Sequence, residues 1–96
     1  MNLVYSQDAV DDLTRLRDFI AAHNPAAAAR VAADLISKIN HLRDFPEIGR
    51  PVAQAPDPNT IRDLIAGKYV VRYAAREETL IILRIWHHFE DRGSST

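Results

Sequence analysis

Apolar positions recur along this chain with two different periods, and the change between them divides it. Ala9, Leu13, Leu16 and Ile20 follow one another at spacings of 4, 3 and 4, which is one face of an α-helix. Ser6 precedes them and offers a hydroxyl to the free N–H groups of a first turn. Asp8, Asp11 and Asp12 suit the positive end of the helix dipole. Asp11, Asp12, Arg15 and Asp18 fall off the apolar face and are expected to meet water. The pair Asn24-Pro25 ends this helix, because the residue before a proline is pushed out of helical geometry. The same pair starts the next one, with Asn24 as cap and Pro25 at the first helical position. Ala28, Val31, Ala32, Leu35, Ile39 and Leu42 form the second apolar stripe, widened by Ile36. Two helices joined so closely predict an antiparallel hairpin.

Beyond Phe45-Pro46-Glu47-Ile48-Gly49-Arg50-Pro51 a proline-punctuated loop runs through Pro56 and Pro58, and then the period falls to two. Ile61 to Ala66, Tyr69 to Ala75 and Leu80 to His87 read as strands, joined by Gly67-Lys68 and by Arg76-Glu77-Glu78-Thr79 as hairpin turns. Leu3-Val4-Tyr5 reads as a short opening strand. The order β-α-α-β-β-β predicts a two-layer α+β domain, with the helix hairpin packed on an antiparallel sheet. In the last strand strict alternation assigns Ile81, Leu83 and Ile85 to the core and places Leu80, Ile82, Arg84 and Trp86 on the other face. That second face would be too apolar for plain contact with water. One domain spans residues 1–96, and residues 91–96 read as a frayed, disordered tail.

Composition narrows the function classes. Hydrophobic residues make up 47% of the chain and charged ones 26%, an ordinary globular balance. Twelve basic against thirteen acidic side chains give a net charge of −1, short of the basic excess that phosphate-rich partners demand. Of the basic residues all but Lys38 and Lys68 are arginine, a side chain suited to flat, bidentate contacts with carboxylates and to stacking on aromatics. Without cysteine there is no disulfide or thiolate metal site, and the expected setting is the reducing cytoplasm. Neither a signal peptide nor a membrane-spanning run is visible. His87 and His88 are adjacent on a strand end and point to opposite faces, while His23 and His41 lie near the ends of different helices. No metal site and no cofactor is expected from that arrangement.

Leu13 and Ile20, Asn24-Pro25-Ala26-Ala27, and Phe45-Pro46-Glu47-Ile48-Gly49-Arg50 stand in an order that continues with Ile61-Arg62-Asp63-Leu64, Tyr69-Val70-Val71-Arg72-Tyr73 and Ile82-Leu83-Arg84-Ile85-Trp86-His87. Together they resemble the ParE/RelE superfamily of toxins from bacterial type II toxin–antitoxin systems. The resemblance covers about residues 1 to 90 and is closer on the ParE side. It implies a small growth-inhibiting protein of the plasmid-stabilisation kind, silenced by a ParD-like antitoxin whose disordered C-terminal segment folds onto it. The expected assembly is a toxin–antitoxin hetero-oligomer. The receiving surface would lie on the outer helix faces, the six alanines between Ala26 and Ala33, and the exposed sheet face, unless those alanines only pack the hairpin.

The two branches differ in chemistry. ParE-like members resemble non-enzymatic poisons of DNA gyrase, whereas RelE-like members cut messenger RNA on the ribosome without a metal. Cleavage by a ribose 2′-OH needs a proton acceptor, an acid for the leaving oxygen and cations for the phosphate. Arg62, Arg72 and Arg84 would be the cations if they converge, with His87 or His88 as acid or base. RelE-like sites commonly end in a tyrosine, whereas this chain carries His87-His88-Phe89. The near-neutral charge and that ending favour gyrase over the ribosome. Arg62, Arg72, Arg84, Trp86 and His87 are then the candidates for contact with target or antitoxin, with no sequence-specific nucleic-acid binding. A non-toxic antitoxin-binding partner in autoregulation is the remaining alternative.

Overall fold

In a computed structural model, residues 1–57 and 60–88 are described. Phe89 and the tail 91–96 lie outside them. The elements are β1 (Asn2–Tyr5), α1 (Gln7–His23), α2 (Pro25–His41), β2 (Arg50–Pro51), β3 (Ile61–Ala66), β4 (Tyr69–Arg76) and β5 (Thr79–His87). Both helix boundaries follow the predicted caps. Ser6 Oγ accepts from the Ala9 amide at 3.0 Å, and Asn24 Oδ1 accepts from Ala27 at 3.1 Å. The sheet has the order β1-β5-β4-β3-β2. Strands β3, β4 and β5 form the antiparallel meander, joined by the two-residue turns Gly67-Lys68 and Glu77-Glu78.

Two strand pairings add to the predicted order. β1 lies parallel to β5, with Leu3 opposite Leu80 and Tyr5 opposite Ile82, so the sheet is mixed rather than wholly antiparallel. Arg50 and Pro51 pair with Asp63 and Arg62 as a short edge strand inside what reads as a loop. Proline is tolerated at such an edge, where no further neighbour asks for its missing N–H.

The helix hairpin covers one face of the sheet. Ala9 and Leu16 of α1 and Leu35 and Ile39 of α2 pack with Leu42 against Val71, Tyr73, Leu80, Ile82 and Ile85. The predicted core set of β5 is overturned here. Arg72 pairs with Arg84 but Tyr73 pairs with Ile82, which leaves Leu83 as an extra residue in a β-bulge. The extra residue reverses the alternation. Leu80 and Ile82 before it and Ile85 after it all face the helices at 0% exposure, while Ile81 and Leu83 are only partly buried. Arg84 and Trp86 do occupy the opposite face. Ile36, expected within the α2 stripe, is 42% exposed and belongs to the surface.

Asp12 corrects a further expectation. It is 3% exposed, although the sequence reading sends it to water. β1 stops opposite Ile82, so the edge of β5 beyond it has no neighbouring strand. The start of α1 supplies the partners instead. Ser6 Oγ donates to the Leu83 carbonyl at 2.9 Å, and the Asp12 carboxylate accepts from the Ile85 amide at 2.9 Å. An otherwise open sheet edge is closed by helix side chains.

Candidate functional site

The residues singled out by sequence divide among three places. On the sheet face away from the helices, Arg72 and Arg84 are cross-strand partners, and Trp86 lies diagonally beside them opposite Val70. Each arginine is engaged by a carboxylate through two nitrogens. Arg72 donates to Asp63 at 2.8 and 3.0 Å, and Arg84 donates to Asp12 at 2.9 and 3.1 Å. The Arg72 guanidinium also lies 5.1 Å from the centre of the Trp86 ring, and Trp86 is 8% exposed. This face is therefore an indole roofed by arginine, with charges matched in pairs.

The electrostatics of the Asp12 pair run in opposing directions. Burial favours the neutral acid, but hydrogen bonds from Arg84 and the Ile85 amide, the Arg84 charge and a hydrogen bond from Arg15 outweigh it and hold the carboxyl below its usual range. Arg84 is raised in turn, chiefly by its hydrogen bond to Asp12, and Arg72 by its bond to Asp63. A carboxyl depressed by folding contributes stability that is full above its unfolded pKa of about 4 and is lost as pH falls through the folded value. Thermal unfolding is thus expected to show a Tm that drops on acidification below about pH 4. Asp12→Asn should flatten that acid limb; an unchanged limb would remove Asp12 from its cause.

Arg62 is elsewhere. It lies opposite Tyr73 on the helix-facing side, and its guanidinium donates to the Gly49 carbonyl at 2.9 Å. Tyr73 completes this clamp, donating to the Pro46 carbonyl at 2.8 Å and accepting from the Gly49 amide at 2.9 Å. Arg62 and Tyr73 hold the segment between α2 and β2 against the sheet. The convergence of Arg62, Arg72 and Arg84 that phosphate chemistry would need does not occur.

His87 occupies the third place. It lies opposite Tyr69, edge-on to that ring at 5.2 Å between centroids, and faces a groove between α2 and the β3–β4 hairpin. The groove has a volume of about 590 Å³ and is lined by Arg30, Val31, Leu35, Lys68 and Tyr69 among others. His88 is exposed just beyond β5, its amide donating to the Lys68 carbonyl at 2.6 Å. The arginines of the outer face and the strand-end histidine thus lie on opposite sides of the sheet. Among the described residues no group of three or more His, Cys, Asp or Glu gathers as metal ligands would. No helix among them is long and apolar enough to cross a membrane.

Sequence reasoning missed Asp12 and the groove. The signal for Asp12 was present, because it follows Ala9 by three residues and precedes Leu16 by four, on the buried face. For the groove there was none, since its walls on α2 and the β3–β4 hairpin come together only in the tertiary fold.

Residues 3–92 match the family described as "ParE toxin of type II toxin-antitoxin system, parDE". The chain is similar to "Toxin RelE2" of Caulobacter vibrioides, at 37% identity over 86 residues, covering 88% of this chain and 92% of that protein. It is also similar to "Toxin RelE1" of the same organism, at 30% identity over 90 residues, covering 94% and 96%. A solved structure described as "Chromosomal ParDE TA system from P. aeruginosa" shares the fold with a TM-score of 0.78 at 22% identity, over 91% of this chain and 95% of that one.

Proposed function

The chain belongs to the ParE toxin family of type II toxin–antitoxin systems, and on that premise we propose that it arrests growth by protein contact, with DNA gyrase as target. What carries the reading is the state of the outer arginines. Arg72 and Arg84 are each neutralised by a carboxylate, and neither shares a face with His87. A nuclease needs unneutralised cations beside a proton-transfer group. A protein interface instead favours arginine flanking an aromatic side chain, which is the arrangement of Arg72, Arg84 and Trp86. That face is the surface assigned to the target. Silencing falls to a ParD-like antitoxin in a cytoplasmic hetero-oligomer, as the ParDE name of the structural neighbour suggests. A plasmid- or locus-stabilising role follows from that pairing.

A second reading has one observation in its favour: relatives such as those described above carry the name RelE. One experiment separates the readings. Purified protein is added to a gyrase supercoiling reaction and, in parallel, to a translating ribosome extract. Lost supercoiling with accumulation of cleaved DNA, and intact messenger RNA, is the expected outcome. Cut messenger RNA with unaffected gyrase would replace this reading by the ribonuclease one. Unimpaired activity in both assays would leave the protein as an antitoxin-binding partner without toxicity.

A further inference from the structure

We propose that Arg50 is the residue through which the outer sheet face holds an acidic side chain of its protein target. The inference rests on the protein-contact reading above and deepens it, naming one contact residue and the chemistry it recognises. Three observations carry it.

First, Arg50 ends a row of charged residues that crosses the sheet. Arg50 stands opposite Asp63, Asp63 opposite Arg72, and Arg72 opposite Arg84. Residues directly opposite one another in neighbouring strands share a face, so Arg50 belongs to the outer one. Asp12 of α1 closes the row beyond Arg84.

Second, Arg50 is the member of this row without a counter-charge. Asp63 is engaged by Arg72, and Asp12 by Arg84, each through two nitrogens. Arg50 is exposed, and its guanidinium has no hydrogen bond or ion pair among the described residues. Its backbone is nevertheless fixed on both sides. Gly49 before it is held by Tyr73 and Arg62, and Val52, two residues on, donates its amide to the Ile61 carbonyl at 3.0 Å. A fixed backbone lowers the ordering cost of a contact, and the planar donors of the guanidinium match a carboxylate.

Third, two apolar rows flank the charged one. Ile65, Val70 and Trp86 stand in register on one side, and Ile61, Ala74 and Ile81 on the other. Ile65 is 47% exposed, while Ile61 and Ile81 are half-buried. Apolar area on both sides of a single unmatched cation fits a protein surface. A nucleic-acid backbone would ask instead for several free cations along its length, and Arg72 and Arg84 are already paired.

The test measures inhibition of gyrase supercoiling by the full chain and by Arg50→Ala, Arg50→Lys and Arg50→Glu, with Tm recorded for each. Because Arg50 is exposed, all three should melt with the wild type. The concentration giving half inhibition is expected to rise at least about tenfold for Arg50→Ala and further for Arg50→Glu. It should rise less for Arg50→Lys, which keeps the charge but loses the planar donor fork. Raising salt from about 50 to 300 mM should weaken the wild type more than Arg50→Ala. Wild-type inhibition retained by Arg50→Ala or Arg50→Glu would overturn the assignment and leave the target reading intact. A wild type without effect on supercoiling would overturn the target reading, and the assignment with it. Binding of linear DNA alone by the wild type, lost in Arg50→Glu, would overturn the carboxylate and put a phosphate in its place.

Discussion

Replacing Asp12 by alanine should destabilise the protein by about 3 kcal/mol, the largest loss expected from a single polar residue. The carboxylate accepts from the Ile85 amide and from two nitrogens of Arg84, and it is buried. Truncation orphans a buried strand amide, a loss of about 1–3 kcal/mol, and removes charge-assisted bonds of comparable worth. The full penalty for breaking a buried ion pair does not apply, because the Arg84 side chain is 36% exposed and regains water. For a chain of this length total stability is about 5–14 kcal/mol, so the loss is a large fraction of it. A Tm lower by roughly 12–24 °C is the corresponding readout. Asp12→Asn keeps an oxygen for the Ile85 amide and should retain about half of the stability. If Asp12→Ala unfolds in urea within about 0.5 kcal/mol of the wild type, the clasp contributes nothing.

Gly49→Ala is the second substitution with a large expected effect, and its cause is steric. A Cβ at that position would lie 2.6 Å from Tyr73 Oη, 2.8 Å from Tyr73 Cε1 and 2.9 Å from the Asp63 carbonyl. Real side chains do not come so near, and the Asp63 oxygen is strand backbone that cannot step aside. The Tyr73 ring is fully buried and equally confined. A destabilisation of about 2–3 kcal/mol follows, as for overpacking in a filled core. Tyr73→Phe alone should lose about 1–3 kcal/mol, because the Gly49 amide and Pro46 carbonyl each lose a partner. Combined, the two changes should be less than additive by at least about 0.5 kcal/mol, since the phenylalanine removes the shortest clash. Strict additivity in denaturant unfolding would mean that Gly49 and Tyr73 do not meet as described.

The helices and the β3–β5 meander were legible because each rests on many residues. Ser6, Asn24 and Pro25 mark boundaries by chemistry that acts locally, and the apolar stripes repeat over several turns. What was not legible depends on single events. Strand β2 is two residues long, and a period of two cannot be seen in Arg50-Pro51. The bulge at Leu83 adds one residue without changing residue type, so Leu80, Ile82, Leu83 and Ile85 look like an ordinary strand. Its effect was nevertheless to exchange the faces of half of β5. The outer-face arginines are legible, and so is Asp63 as an acidic partner one strand away from Arg72, but the Asp12 that holds Arg84 comes from α1, distant in sequence. Arg62 was placed with Arg72 and Arg84 by residue type alone, whereas strand register sends it to the other side as a clamp on Gly49.

The parallel pairing of β1 with β5 has a consequence for the order of events during synthesis. The first strand of the chain is completed by the last, with Asn2 opposite Thr79 and Tyr5 opposite Ile82. α1 likewise packs on β5, where Leu80, Ile82 and Ile85 stand at the far end of the sequence. Contacts of such long range close late and fold slowly. The helix hairpin can form as soon as it leaves the ribosome, but its apolar face must wait for β5. The finished sheet therefore exists only once β5 has been made. A nascent chain that stalls before Thr79 has neither a closed sheet nor the outer-face pair of Arg84 and Trp86, and its helix hairpin keeps an uncovered apolar face.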